Sequence, residues 1–241
     1  MIESQTVAVI SAMEEELEPL KRRLMVRDQH RVGGMTLSVA EFRGIRVILA
    51  VSGIGKANAA ACMQYVITTY QPDEVINIGA AGSLDDCYQV GDVVLVTESI
   101  YHDVDCTGVG ENPHALPRVP RIIPSDVTVA RNLDRIAGEL GLTCHTGRVA
   151  TGDAFISDGE RRKTIRKGTE AGLVEMETAA FAQIAHLNGI PFVSVRSISD
   201  NADGVAEMSF ETFLAEISER NAALLAAYLE SKAPAAEPVS G

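Results

Sequence analysis

Short apolar runs alternate with stretches of helical spacing along most of this chain. Thr6 to Ala12 reads as a strand, and Glu14 to Met25 as a helix with Leu17, Leu20 and Leu24 on one face. Met35 to Phe42 and Ile45 to Val51 read as paired strands around Arg43-Gly44, a hairpin signal. Ser52-Gly53-Ile54-Gly55-Lys56 then turns into a helix to about Tyr70, with Ala60, Met63, Val66 and Ile67 on one face. Glu74 to Ile78 is the next buried strand, ended by Gly79-Ala80-Ala81-Gly82. Val93 to Val96 and Ser99 to Cys106 are further strands. Thr107 to Pro124 is the longest irregular stretch and carries four prolines; loops of this length in a compact domain are usually functional or interfacial. Ser125 or Asp126 caps a helix to about Leu140, and Cys144 to Ala150 is a strand. Glu160 to Lys167 is a short charged helix. Thr178 to Asn188 is an Ala-rich helix stopped by Gly189 and Pro191, Phe192 to Ser199 a central strand, and Ser209 to Ser231 the final helix. Strands alternating with helices predict an α/β fold whose mostly parallel sheet is covered on both faces. Residues 1–232 read as a single domain, and the Ala/Pro/Gly/Ser-rich tail 233–241 is expected to be disordered.

Composition narrows the partners. A length of 241 residues with 46% apolar content fits one sizeable core. The formal charge of −12 argues against nucleic acid or an anionic membrane, both of which need a basic face. No apolar run approaches the ~20 residues that span a bilayer, and the N-terminus enters a strand pattern without a leader-like basic and apolar segment. Cys62, Cys87, Cys106 and Cys144 are scattered without a C-x-x-C pair, as expected of reduced thiols in a cytoplasmic protein.

Acidic residues recur where strands end. Glu14-Glu15-Glu16 follows the first apolar run, Val174-Glu175-Met176-Glu177 joins an apolar segment to a helix, and Ser199-Asp200 closes the run from Phe192. In open α/β sheets ligands bind at such strand ends. Acids set beside core residues need partners, and unexplained ones are candidates for chemistry. Bland readings stand beside this one: acids in a first helical turn suit the dipole, and Asp200 could cap the next turn. At 100° per residue the three glutamates cannot all face one way, and the pattern alone leaves open whether one of them faces the cleft. Other motifs fall short. Gly53-Ile54-Gly55-Lys56 lacks the rest of a phosphate loop, with Ala50 and Ala57 at the required positions, and Asn58 breaks a dinucleotide fingerprint. It is either a tight strand-to-helix turn or a turn whose N–H groups face a ligand. Tyr101-His102-Asp103 holds metal-capable side chains, but in a strand His102 and Asp103 point to opposite faces. No metal site is read.

With these segments in place, the chain resembles the bacterial 5′-methylthioadenosine/S-adenosylhomocysteine nucleosidases of the nucleoside phosphorylase superfamily. The resemblance runs from about Val7 to Leu229 and rests on seven segments in order: Ala12 to Glu16, Ser52 to Lys56, Gly79 to Gly82, Tyr101 to Asp103, Gly152 to Phe155, Val174 to Glu177, and Ser199-Asp200. It implies a three-layer α/β sandwich on a central mixed, twisted sheet, and a homodimer needing neither metal nor cofactor. It also implies roles. Asp200 would protonate adenine N7, helped by Ser199, and Glu16 would position or deprotonate water. Glu177 would hold the ribose hydroxyls, with Glu175 beside it and Met176 and Met13 packing on the sugar. Phe155 would stack on adenine, whose edge the backbone of Phe155 and Ile156 would read, next to Ala81 and Gly82. Ile54, Phe210 and the partner's Val109 and Pro117 would line an alkylthio pocket.

The chemistry fits independently: cleaving an N-glycosidic bond needs a protonated leaving base and a water facing an oxocarbenium-like carbon. One carboxyl must stay protonated near neutrality, as burial favours for Asp200, and another ionised, as the helix dipole favours for Glu16. Phosphorolysis is disfavoured because Asn77 stands where phosphorylases of the superfamily place an arginine, and Ile54 is bulky for a phosphate pocket. Ala80 and Val109 depart from the family pattern and leave substrate preference open, 5′-deoxyadenosine and 6-amino-6-deoxyfutalosine included. A non-catalytic nucleoside-binding protein would need the pocket but not the three acids.

Overall fold

A computed structural model describes residues 5–202 and 206–233. The chain opens with β1 (Thr6–Ser11), α1 (Glu14–Lys21), β2 (Met25–Val32), β3 (Met35–Phe42), β4 (Ile45–Val51) and α2 (Lys56–Tyr70). There follow β5 (Glu74–Ser83), β6 (Val93–Tyr101), β7 (Ile123–Pro124), α3 (Val127–Glu139) and β8 (Cys144–Thr151). The last third holds α4 (Gly159–Thr169), β9 (Leu173–Glu175), α5 (Thr178–Asn188), β10 (Phe192–Asp200) and α6 (Ala206–Lys232).

The strands join one sheet in the order β10-β6-β8-β9-β5-β1-β4-β3-β2, with β7 on β6. Because β10 also pairs with β5, the strands β5, β9, β8, β6 and β10 close into a ring, and β1, β4, β3 and β2 extend from it as a wing. Both parts contain parallel and antiparallel pairs, so the sheet is mixed rather than mostly parallel. Period-two alternation fills the two faces of the sheet. Val7 and Val9 pack with α1, α3 and α6, while Ala8 and Ile10 pack with α2 and α5. Fully burying a Val or Ile side chain contributes roughly 1.5–3 kcal/mol. Among the described residues no helix is long and apolar enough to cross a membrane.

Several boundaries differ from expectation. Helix α1 stops at Lys21, not Met25, because the chain from Met25 is captured as β2 by antiparallel pairing with β3. That strand is mostly exposed and shows no apolar alternation; its signal is the two-residue Gly33-Gly34 hairpin turn. Gly79 to Gly82 do not end β5 but lie within it. The two strands expected over 93–106 are one, β6, with a bulge after Val96. It ends at Tyr101, so His102 and Asp103 lie outside any strand and the opposite-faces argument does not apply to them. The long irregular stretch contains a 3₁₀ turn (Thr107–Val109) and β7. Asp126, not Ser125, caps α3, accepting from Thr128 N and Val129 N. Helix α6 begins at Ala206, before the expected Ser209. The expected tail lies, from residue 234 on, outside the described residues.

Candidate active site

The topology gathers the acidic strand ends. Glu16 follows β1, Glu175 and Glu177 follow β8 through β9, and Asp200 ends β10; β5 pairs with β1, β9 and β10, so all of them gather around its C-terminal half. A register shift between Ile198 and Asp200 marks a bulge. That bulge turns both Ser199 and Asp200 into the cleft, where a regular strand would send neighbours to opposite faces. The cleft has about 170 Å³ of room.

Of the three consecutive glutamates, only Glu16 is buried; Glu14 and Glu15 are exposed. Its Oε2 accepts from Met13 N at 3.2 Å, capping α1, and its Oε1 accepts from Ala80 N at 3.0 Å. Burial raises its pKa, against the lowering by Arg196 and by these N–H groups. The helix dipole favours the charge of Glu16, as the sequence leads one to expect, but burial acts the other way and raises its pKa.

Glu177 is 4% exposed. Its Oε1 accepts from Gly55 N at 2.9 Å, while Arg196 Nη2 lies 3.8 Å from its Oε2. Burial first, and then the neighbouring Glu175 carboxylate, push its pKa up to about 8 against the pull of Arg196. Glu175 lines the cleft, but its carboxylate is saturated by the protein. It accepts from Glu177 N and Thr178 N at 2.8 Å, from Thr178 Oγ1 at 2.9 Å, from Arg196 Nη2 at 2.6 Å and from Thr151 Oγ1. Its contribution to a ligand is thus to anchor Arg196 and the start of α5.

Asp200 is 3% exposed, accepting from Ala202 N at 2.7 Å and from Ser199 Oγ at 2.7 Å. The same Ser199 hydroxyl lies 3.3 Å from Ala81 O. Its single proton serves an ionised Asp200, or turns to Ala81 O and leaves the oxygen to accept from a protonated one.

Arg196, which the sequence reading overlooked, is 1% exposed and lines the cleft from β10. Its signal was a lone charge inside an otherwise apolar buried run, which requires partners. Besides Glu175, it donates to Asn77 Oδ1 at 2.8 Å, to Thr178 Oγ1 at 2.8 Å and to Ala80 O at 3.2 Å. Asn77 is buried and does not line the cleft; it donates to Ile10 O and accepts from Ser194 Oγ. Close approach explains two glycines of β5. A Cβ on Gly79 would come within 2.3 Å of Arg196 Nη1 and 2.9 Å of Glu16 Oε1, and one on Gly82 within 2.8 Å of Asp200 Oδ1.

Met13, Met176, Ala81, Gly82 and Ile156 line the interior, and Ile54, Phe155 and Phe210 stand at the mouth. Ile54 is 52% and Phe155 48% exposed, and Phe155 meets Phe210 edge-on with ring centroids 6.3 Å apart. Val109 and Pro117 do not line this cleft and are exposed.

The chain is similar to known proteins in sequence and in fold. The sequence profile of the Phosphorylase superfamily matches residues 6–230. A 5′-methylthioadenosine/S-adenosylhomocysteine nucleosidase of Actinobacillus succinogenes is 39% identical over 209 residues, covering 86% of this chain and 91% of the relative. The Helicobacter pylori 5′-methylthioadenosine/S-adenosylhomocysteine nucleosidase, solved with butyl-thio-DADMe-Immucillin-A, superposes with a TM-score of 0.92 at 28% identity, covering 95% of this chain and 99% of that one. The futalosine hydrolase of Helicobacter pylori strain 26695 superposes with a TM-score of 0.91 at 28% identity, covering 94% of this chain and 98% of the other.

Proposed function

The chain belongs to the phosphorylase superfamily, and from that premise we propose that it is a nucleosidase. It hydrolyses the N-glycosidic bond of 5′-methylthioadenosine and S-adenosylhomocysteine to adenine and the corresponding thioribose; 5′-deoxyadenosine fits the same reading. One observation carries it: Glu16, Glu177 and Asp200, each at most 4% exposed, line one otherwise largely apolar cleft.

In this reading Asp200 gives a proton to adenine N7 as the bond breaks, and Ser199 steadies the carboxyl in both protonation states. The ribose carbon develops cationic character, which carboxylates in a water-poor site stabilise better than bulk solvent does. Glu16 holds and deprotonates the attacking water; its raised pKa makes it a stronger base once ionised. Glu177 accepts from the ribose hydroxyls, while Met13 and Met176 pack on the sugar. Phe155 stacks on adenine, and Ile54 and Phe210 flank the 5′ substituent. Water rather than phosphate is the nucleophile because Arg196, the one cationic side chain among the described lining residues, is already bound to Glu175, which leaves no other cation among them to hold a phosphate. A cytoplasmic homodimer belongs to the same reading, with Val109 and Pro117 closing the open mouth of the partner's cleft.

The test is adenine release from 5′-methylthioadenosine in phosphate-free buffer, repeated with phosphate. Phosphate-independent release with free methylthioribose is expected; strict dependence on phosphate would make the protein a phosphorylase. Similarity to a futalosine hydrolase supports a second reading, in which 6-amino-6-deoxyfutalosine enters the same cleft. Competition between the two nucleosides in one assay ranks them.

A further inference from the structure

Two loops form the mouth of the cleft. One is the turn Gly53-Ile54-Gly55 before α2, and the other is the segment Gly152-Asp153-Ala154-Phe155 after β8. Outside the cleft they are joined by three charged side chains that do not line it. Lys56 Nζ donates to both oxygens of Asp103, at 2.8 and 2.7 Å, and lies 3.7 Å from Asp153 Oδ2. Asp153 Oδ1 accepts from Lys56 N at 2.8 Å, and Asp103 Oδ2 accepts from Asp153 N at 2.9 Å. A Cβ on Gly55 would come within 3.1 Å of Asp153 Oδ1, and one on Gly152 within 2.9 Å of the Asp103 carboxyl carbon. Both loops therefore lie hard against the cluster.

We propose that Lys56, Asp103 and Asp153 form an ionic clamp that fixes these two loops relative to each other, and so aims the Gly55 N–H at Glu177 and sets Ile54 and Phe155 at the width of the substrate. These are positioning residues: none touches the cleft. The clamp rests on the nucleosidase reading only for what it positions. Lys56 and Asp103 are about a quarter exposed, and pairs so placed add little to global stability. Their consequence is geometric, since the Gly55 N–H is one residue from the Lys56 N–H that Asp153 holds.

Asp103→Asn separates this role from a simple charge effect. Glu177 is faced by Gly55 N–H from the α2 turn, Glu175 from β9, Arg196 from β10 and Glu16 from α1. Removing the Asp103 charge alone would ease ionisation of Glu177 and shift the acidic limb of kcat/KM to lower pH. Releasing the clamp withdraws the Gly55 donor and shifts that limb to higher pH. The expected result is the upward shift, with KM for 5′-methylthioadenosine raised about tenfold and kcat changed less. Amide exchange at Gly55 and Asp153 should also quicken about tenfold while the core strands stay protected. Lys56→Gln should reproduce the KM and exchange effects and Lys56→Arg restore them, which keeps the test available should Asp103→Asn not fold. An unmoved or lowered limb, KM within twofold of wild type and unchanged exchange would overturn the clamp. Absence of turnover in the wild-type protein would instead overturn the nucleosidase reading, and the exchange measurement would still decide on the clamp.

Discussion

At the scale of single residues, the reading divides one reaction among carboxyls with different surroundings. Asp200→Asn keeps the size and the Ser199 contact but removes the transferable proton. Turnover is expected to fall by roughly 10³-fold, the middle of the range for general acids. Binding of an adenosine analogue, measured by calorimetry, should stay within a few-fold, because the lost interaction belongs to the transition state. Near-normal turnover would remove Asp200 from the acid role. Glu177 makes a stability prediction whose sign follows from its raised pKa. The folded protein holds this proton more tightly than the unfolded chain, so its contribution is complete below 4.5 and is lost as pH rises through about 8. Glu16 is shifted in the same direction. Glu177→Gln should flatten, without abolishing, the decline in urea-unfolding stability across that window; an unchanged slope would mean that Glu177 is not held protonated in the folded protein. The acids themselves were legible in the sequence because a charge beside core residues is conspicuous. Arg196 carried the same signal, a lone charge in the run from Phe192 to Ile198, but its role was not legible, because the partners that make it tolerable lie far off in sequence at Asn77 and Glu175.

At the scale of elements, strand ends and caps do the positioning. The sequence located nearly every helix and central strand, because buried elements carry periodicity on their own residues. It missed β2 because an exposed edge strand is held by backbone pairing to β3, and it cut β5 short because glycines that end strands elsewhere here admit Arg196 and Asp200. Helix α3 offers a test of how such elements are held. Asp126 accepts from two N–H groups at its start, and Leu133 on its inner face is fully buried. Asp126→Ala should lower stability by about 1 kcal/mol and Leu133→Ala by roughly 2–5 kcal/mol, both read as urea midpoints at constant slope. Neither residue borders the cleft, so kcat/KM at 25 °C should be unchanged. A loss of activity in the still-folded Asp126→Ala protein would tie α3 to the site in a way its contacts do not.

At the scale of the whole molecule, the mouth of the cleft exposes apolar surface. Ile54 and Phe155 leave about half their surfaces open at its mouth, while Val109 is 77% exposed on a 3₁₀ turn away from it. A symmetric pair that places each Val109 over the other's mouth would bury both apolar surfaces at once, which is how twofold interfaces satisfy identical patches. The arrangement can be tested by complementation as well as by sedimentation. Val109→Gln sets a polar group against the 5′ substituent and should raise KM by about tenfold, the cost of one poorly matched contact of ~1.4 kcal/mol. Asp200→Asn is inactive in its own cleft but carries an intact Val109. Mixed and allowed to exchange subunits, the two variants of a dimer so arranged would give heterodimers in which the Val109→Gln protomer keeps its Asp200 and receives a wild-type Val109 from its partner. The mixture should then exceed the summed activity of the two variants measured apart at low substrate concentration. Strictly additive activity, or a single monomeric species at micromolar concentration, would confine the site to one chain and withdraw Val109 and Pro117 from it.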